Sequence, residues 1–101
     1  MRIISKKRLD QAAQKHPKAK STIDHWHRIA KAASWKHLAD TKRSFAHADQ
    51  VAVASGRTTT VFNITDAFRL ITAVHYHGSR IYILRFLTHA DYSKGTWKKD
   101  L

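Results

Sequence analysis

The residues best suited to chemistry sit together near the C-terminal end of the chain. Thr88-His89-Ala90-Asp91-Tyr92-Ser93-Lys94 follows directly on the apolar run Ile81-Tyr82-Ile83-Leu84-Arg85-Phe86-Leu87. Side chains are positioned best where a rigid element stops. Histidine titrates near neutrality, so His89 is the natural candidate for moving a proton. Tyr92, three residues on, falls on the same side of a helical turn, where it could orient a phosphate, stack on a base or donate a proton. Lys94 could neutralise charge. Arg69 lies in a second apolar stretch with its head on the less apolar face, and its guanidinium could hold a phosphate through paired hydrogen bonds.

These are the groups that RNA cleavage needs. RNA carries its own nucleophile, the 2′-OH; the enzyme supplies a base, an acid for the leaving 5′-oxygen, and positive charge at the phosphate. Each residue also has a plainer reading. Thr88-His89 could simply cap the turn after the last strand. Arg69 could be an ion-pair partner of Asp66 or Asp91. Arg85, inside an apolar strand, could snorkel or pair, and Lys94 could be a solvated charge. Trp35-Lys36-His37 and Lys42-Arg43 make a second basic segment, either a solvated face or the lining of an RNA groove. His75 and His77 face the same way on a strand, but without Cys, Glu or a third ligand no metal site is expected.

The elements that position these groups read as follows. Arg2–Ile4 is a short strand, Ser5 an N-cap, and a helix follows from about Lys6 to Lys15. Pro17 ends it. Ser21 is expected to cap a second helix carrying Ile23, Trp26, Ala30 and Ala33 on one face, all assigned to the core. The two helices form an antiparallel hairpin, and a shorter helical piece runs from about Trp35 to Arg43. From Gln50 onward β-branched residues take over, with turns at Ser55-Gly56 and Gly78-Ser79. Strands are expected near 50–54, 58–64, 68–77 and 80–88. In the third, Phe68, Leu70, Thr72, Val74 and Tyr76 face the helices, and Arg69, Ile71, Ala73, His75 and His77 face away. The fold class is α+β: an N-terminal short strand and a helical hairpin packed on a twisted, mainly antiparallel sheet, in a single domain over residues 1–101. Trp97–Leu101 is expected to be mobile.

Composition narrows the function. Nineteen Lys and Arg stand against seven Asp, with no Glu, for a net charge of +12. Such a surface draws polyanions, so nucleic acid or an acidic protein is the expected partner. No helix pairs a broad bulky apolar face with a basic one, which argues against a membrane surface. The absence of cysteine excludes disulfides, thiolate metal sites and a cysteine nucleophile. The absence of Glu excludes a glutamate acid or base. There is no Gly-rich phosphate loop, no run of about 18 apolar residues and no signal-peptide pattern, and a cytoplasmic location is expected.

The order of Met1-Arg2-Ile3-Ile4-Ser5, Ala33-Ser34-Trp35-Lys36, Val61-Phe62-Asn63-Ile64, Phe68-Arg69-Leu70-Ile71 and the Thr88-His89-x-x-Tyr92 pattern resembles the HigB-type toxins of bacterial toxin–antitoxin pairs, within the RelE superfamily. The resemblance covers nearly the whole chain. It departs at Ser93, where the family has Asp, at Phe68, where it has Tyr, and at Thr65-Asp66-Ala67, where it favours a Gly/Asn turn. The resemblance implies a RelE-like fold and a metal-independent endoribonuclease that cuts mRNA, on or off the ribosome, without a cofactor. It implies a catalytic set of His89, Tyr92 and Arg69, with Lys94, Lys36 and Arg85 on RNA. It further implies a cognate antitoxin of helix-turn-helix type, through which alone operator DNA would be reached. A basic module that binds RNA or DNA without cutting is the competing reading, and a relic that binds only its antitoxin is a third.

Overall fold

The computed structural model describes residues 1–101. In chain order it contains β1 (Arg2–Ile4), α1 (Lys6–Lys15), a 3-10 turn (Pro17–Ala19), α2 (Lys20–Ala32), α3 (Leu38–Ser44), β2 (Asp49–Ala52), β3 (Thr58–Ile64), β4 (Phe68–His75), β5 (Arg80–Thr88), α4 (His89–Lys94) and α5 (Trp97–Asp100). The five strands form one sheet in the order β1-β5-β4-β3-β2. β1 runs parallel to β5, and every other pair is antiparallel. This is the α+β architecture expected from the switch of hydrophobic period at Gln50.

Period-two alternation divides the sheet residues between two faces. Phe62, Ile64, Leu70, Ile81 and Ile83 pack against Leu9, Ala12, Ile23, Trp26 and Ala30 of the helices, with Trp35 closing the layer. Phe68, Val74 and Tyr76 join them, as the alternation in β4 requires. Trp26, Phe45 and Phe62 pack edge-on or stacked with ring centroids 5.3–6.4 Å apart. The Tyr76 hydroxyl reaches Thr41 of α3 at 3.0 Å, so burial of both polar groups is compensated.

The other face carries a smaller cluster of Val53, Val61, Ile71 and Trp97. Trp97 is 4% exposed, so the C-terminal segment is docked rather than mobile. The Ala54 N–H donates to the Lys98 carbonyl at 2.9 Å and ties the segment to the end of β2. One large aromatic covering three aliphatic side chains outweighs the charges of Lys98, Lys99 and Asp100 around it.

Three expectations at helix ends are corrected. Ser5 sits in the left-handed region at φ 68° and makes no side-chain cap. α2 begins at Lys20, so Ser21 lies inside the helix. α3 begins only at Leu38; Trp35–His37 leads into it as extended chain. β5 also contains a register shift opposite Ile71/Thr72: Ile71 pairs with Arg85 and Thr72 with Ile83, leaving Leu84 as an extra residue. Such a bulge reverses which face each later residue takes. Ile83 therefore faces the helices before it, and Phe86 after it.

Candidate active site

Four of the candidate residues, Arg69, His89, Tyr92 and Lys94, lie at or just beyond the end of the β4–β5 pair, where Phe68 lies opposite Thr88 and Arg69 opposite Leu87. The β3–β4 turn, Thr65–Ala67, abuts this end. Thr65 adopts φ 59°, and its Oγ1 accepts the Ala67 N–H at 3.1 Å. A β-branched residue in the left-handed region is strained. The side-chain hydrogen bond is what holds it there.

This turn anchors two of the candidates. Nη1 of Arg69 donates to the carbonyls of Thr65 (3.3 Å), Asp66 (3.2 Å) and Phe68 (2.8 Å). The other guanidinium nitrogens make no hydrogen bond to the protein, and Arg69 is half-buried. The ion pair with Asp66 or Asp91 is not formed. Asp66 contributes only its backbone carbonyl, and the Asp91 carboxylate faces Lys94 at 3.7 Å. His89 opens α4, and its backbone N–H donates to the Ala67 carbonyl at 2.7 Å. Thr88 caps the helix, its hydroxyl accepting the Asp91 N–H at 3.2 Å. The cap expected of Thr88-His89 is thus made by Thr88, and the exposed imidazole has one hydrogen-bonding contact within the protein, Ser93 Oγ at 3.4 Å from Nδ1.

Tyr92 turns toward the second cluster. Its ring stacks on Trp97 with centroids 5.5 Å apart and planes 19° apart. The Trp97 indole N–H donates to the Tyr92 carbonyl at 3.1 Å. The chain can turn back for this because Gly95 takes φ 73°, a conformation that favours glycine, and its N–H closes onto the same carbonyl. The Tyr92 ring is thus fixed from behind while its hydroxyl makes no hydrogen bond within the protein. Lys94 is exposed and pairs with Asp91.

The other two candidates lie apart from this cluster. The Arg85 guanidinium donates to the Leu84 carbonyl at 2.7 Å and lines a groove between α1 and β5. Lys36 sits on the helical side of the sheet, where its N–H donates to the Asp40 carboxylate at 2.8 Å. That bond, ahead of the charges of His37 and Arg43, holds the Asp40 carboxyl below its usual pKa. Asp40 belongs to α3, and α3 bonds to Tyr76 beyond the far end of β4 from Arg69. Sequence reasoning missed Trp97 as the support of Tyr92. Its signal was a lone tryptophan in an otherwise charged tail. It also missed His16, whose ring packs on Phe68 at 4.6 Å; only its place between a helix and Pro17 hinted at a fixed position.

A protein-family description, HigB_toxin, the RelE-like toxic component of a toxin–antitoxin system, matches residues 19–95. That span takes in α2, α3, all of β2–β5 and the whole of α4 with its histidine and tyrosine. No curated protein matches the chain.

Proposed function

The chain belongs to the HigB family of RelE-like toxins, and we propose that it acts as a metal-independent endoribonuclease that cuts mRNA and so blocks translation. The observation that carries this reading is that one turn, Thr65–Ala67, holds both the Arg69 guanidinium and the backbone of His89. A group that binds phosphate and an imidazole that can take or give a proton thereby share one rigid support. In the proposed reaction the 2′-oxygen of one nucleotide bonds to the adjacent phosphorus, and the bond from that phosphorus to the next 5′-oxygen breaks. The 2′-OH proton passes to a base, and a proton is delivered to the departing 5′-oxygen. His89 carries one of these two transfers, and the Tyr92 hydroxyl is the candidate for the other. The unpaired guanidinium nitrogens of Arg69 bind the non-bridging oxygens, where negative charge builds up. Lys94 adds charge at the rim. Tyr92, backed by Trp97, offers its free hydroxyl to the phosphate or its ring to a base. The substrate supplies the nucleophile, so no metal-activated water is needed.

The family implies an antitoxin as partner. We propose one of helix-turn-helix type, with operator DNA contacted only through it. The test is product chemistry on labelled mRNA, with and without ribosomes. Fragments should first carry a 2′,3′-cyclic phosphate and a 5′-hydroxyl. Chelator should have no effect, and a 2′-O-methyl group at the cut site should block the reaction. Tight binding without cutting in both settings would replace this reading with a basic nucleic-acid-binding module.

A further inference from the structure

β1 covers only the first part of β5, pairing with Arg80–Tyr82. From Ile83 onward the outer edge of β5 is unpaired and α1 runs beside it. A groove of about 440 Å³ lies between them, with Arg8, Lys15 and Arg85 on its walls and Phe86 on its floor. It continues through Lys15 and His16 into a second cleft of about 540 Å³ bounded by Lys18, Thr65 and Ala67. Neither cleft has an acidic residue in its lining. Where they meet, three rings cluster: His16 lies tilted against Phe68 at 4.6 Å and Phe86 at 5.9 Å, and Phe68 stacks on Phe86 at 5.2 Å with planes 26° apart. The far end is the turn that holds Arg69 and His89.

An open strand edge commonly invites another strand. Here the bulge interrupts that edge, and the Leu84 carbonyl is already taken by the guanidinium groups of both Arg8 and Arg85. A pairing peptide would have to displace them. A positive groove interrupted by aromatic rings is instead the arrangement that tracks a single-stranded nucleic acid, with phosphates on the cations and a base on the rings. We infer that this groove carries the single-stranded RNA flanking the cut site, with Arg8, Lys15, Lys18 and Arg85 on its phosphates and His16 stacked under a base. This rests on the ribonuclease reading and adds to it an extended substrate, read by position rather than by sequence.

Lys15 and Lys18 are exposed and make no hydrogen bond or ion pair within the protein, so the double variant Lys15→Gln/Lys18→Gln should fold normally. It is assayed on a minimal RNA that spans the cut and on the same RNA lengthened on its 5′ or its 3′ side. For one of the lengthened RNAs the wild-type KM should fall, and the variant's KM on that RNA should be roughly tenfold higher than the wild type's at low salt with kcat retained. The salt slope of binding should fall by about 1.4, at about 0.7 per single-strand phosphate contact. His16→Ala should weaken the same substrate, and His16→Phe should restore it. No dependence on RNA length, or equal loss on the minimal RNA, would overturn the inference. So would loss confined to ribosome association, which would assign the cations to ribosomal RNA, or loss confined to antitoxin binding, which would assign the groove to an acidic peptide. If no RNA is cut but length-dependent binding still needs Lys15 and Lys18, the ribonuclease reading fails and the groove stands.

Discussion

The Nδ1 atom of His89 lies 3.4 Å from the Oγ of Ser93, one helical turn further along α4. The contact leaves Nε2 as the free nitrogen. For Nε2 to accept a proton, Nδ1 must carry the hydrogen and donate it to the serine oxygen. A neutral hydroxyl accepts that bond weakly and does little for the imidazolium that would form, whereas a carboxylate does both.

Ser93→Asp, which restores the residue usual in the resembling toxins, should therefore speed cleavage and move the acid limb of the pH–rate profile to higher pH. Ser93→Ala should slow cleavage several-fold with little change in stability, because both partners are exposed. Initial rates between pH 5 and 9 for the three proteins check this. Identical profiles would mean that the ring is not oriented through Nδ1.

Thr65 is held at φ 59° by its own hydroxyl. Asparagine also offers a side-chain acceptor and tolerates the left-handed region better. Thr65→Asn should stabilise the fold by roughly 1 kcal/mol, seen as a rise of about 4–8 °C in Tm. Lost cleavage alongside raised stability would mark the strain itself as functional.

Trp97 closes the second cluster and supports Tyr92. Trp97→Ala should cost about 3–5 kcal/mol, a large part of the stability of a domain this size. Trp97→Phe should keep much of the packing and lose only the bond to the Tyr92 carbonyl. Urea unfolding separates the two. If Trp97→Ala unfolds at the wild-type midpoint, the tail does not dock.

Much of the fold was legible because its signals are local. β3, β5 and α1 fall at the expected residues, since β-branched runs between turn residues and a 3.6-residue apolar spacing leave few alternatives. The caps were not legible at Ser5 and Ser21. A cap depends on φ and ψ, which residue type only biases. The bulge at Leu84 was hidden because Ile81–Leu87 is almost uniformly apolar, so a reversal of faces leaves no mark in the pattern. At the site, the types of Arg69 and His89 pointed to their chemistry. Nothing in the sequence foretold that the guanidinium would fold back onto the carbonyls of the turn that also holds His89.

That shared turn gives Arg69 two tasks. Arg69→Lys keeps the charge and loses the planar fork, so cleavage should drop at least tenfold while Tm falls only a few degrees. Arg69→Ala frees three carbonyls and should lower both. Thermal melts paired with cleavage assays test this. Wild-type cleavage by Arg69→Lys would reduce the arginine to a brace for the turn.

The proton-transfer role of His89 is the prediction on which the mechanism depends. His89 is exposed, its helix is capped by Thr88, and its tie to Ala67 uses the backbone N–H. His89→Gln should therefore leave the fold and antitoxin binding intact. It keeps a hydrogen-bonding group but cannot titrate, and loss of a general acid or base costs about 10²–10⁴-fold. Tyr92 needs two substitutions, because its ring packs on Trp97 while its hydroxyl is free. Tyr92→Phe removes only the hydroxyl, so a large loss in kcat assigns it to the phosphate or to proton donation. Tyr92→Ala also strips the stacked ring, and any further loss appearing in KM assigns the ring to a base. Single-turnover cleavage, read beside thermal melts and antitoxin pull-down, keeps chemistry apart from folding. Near-wild-type cleavage by His89→Gln would make the histidine a turn residue and move the proton transfer to another group within reach of Arg69.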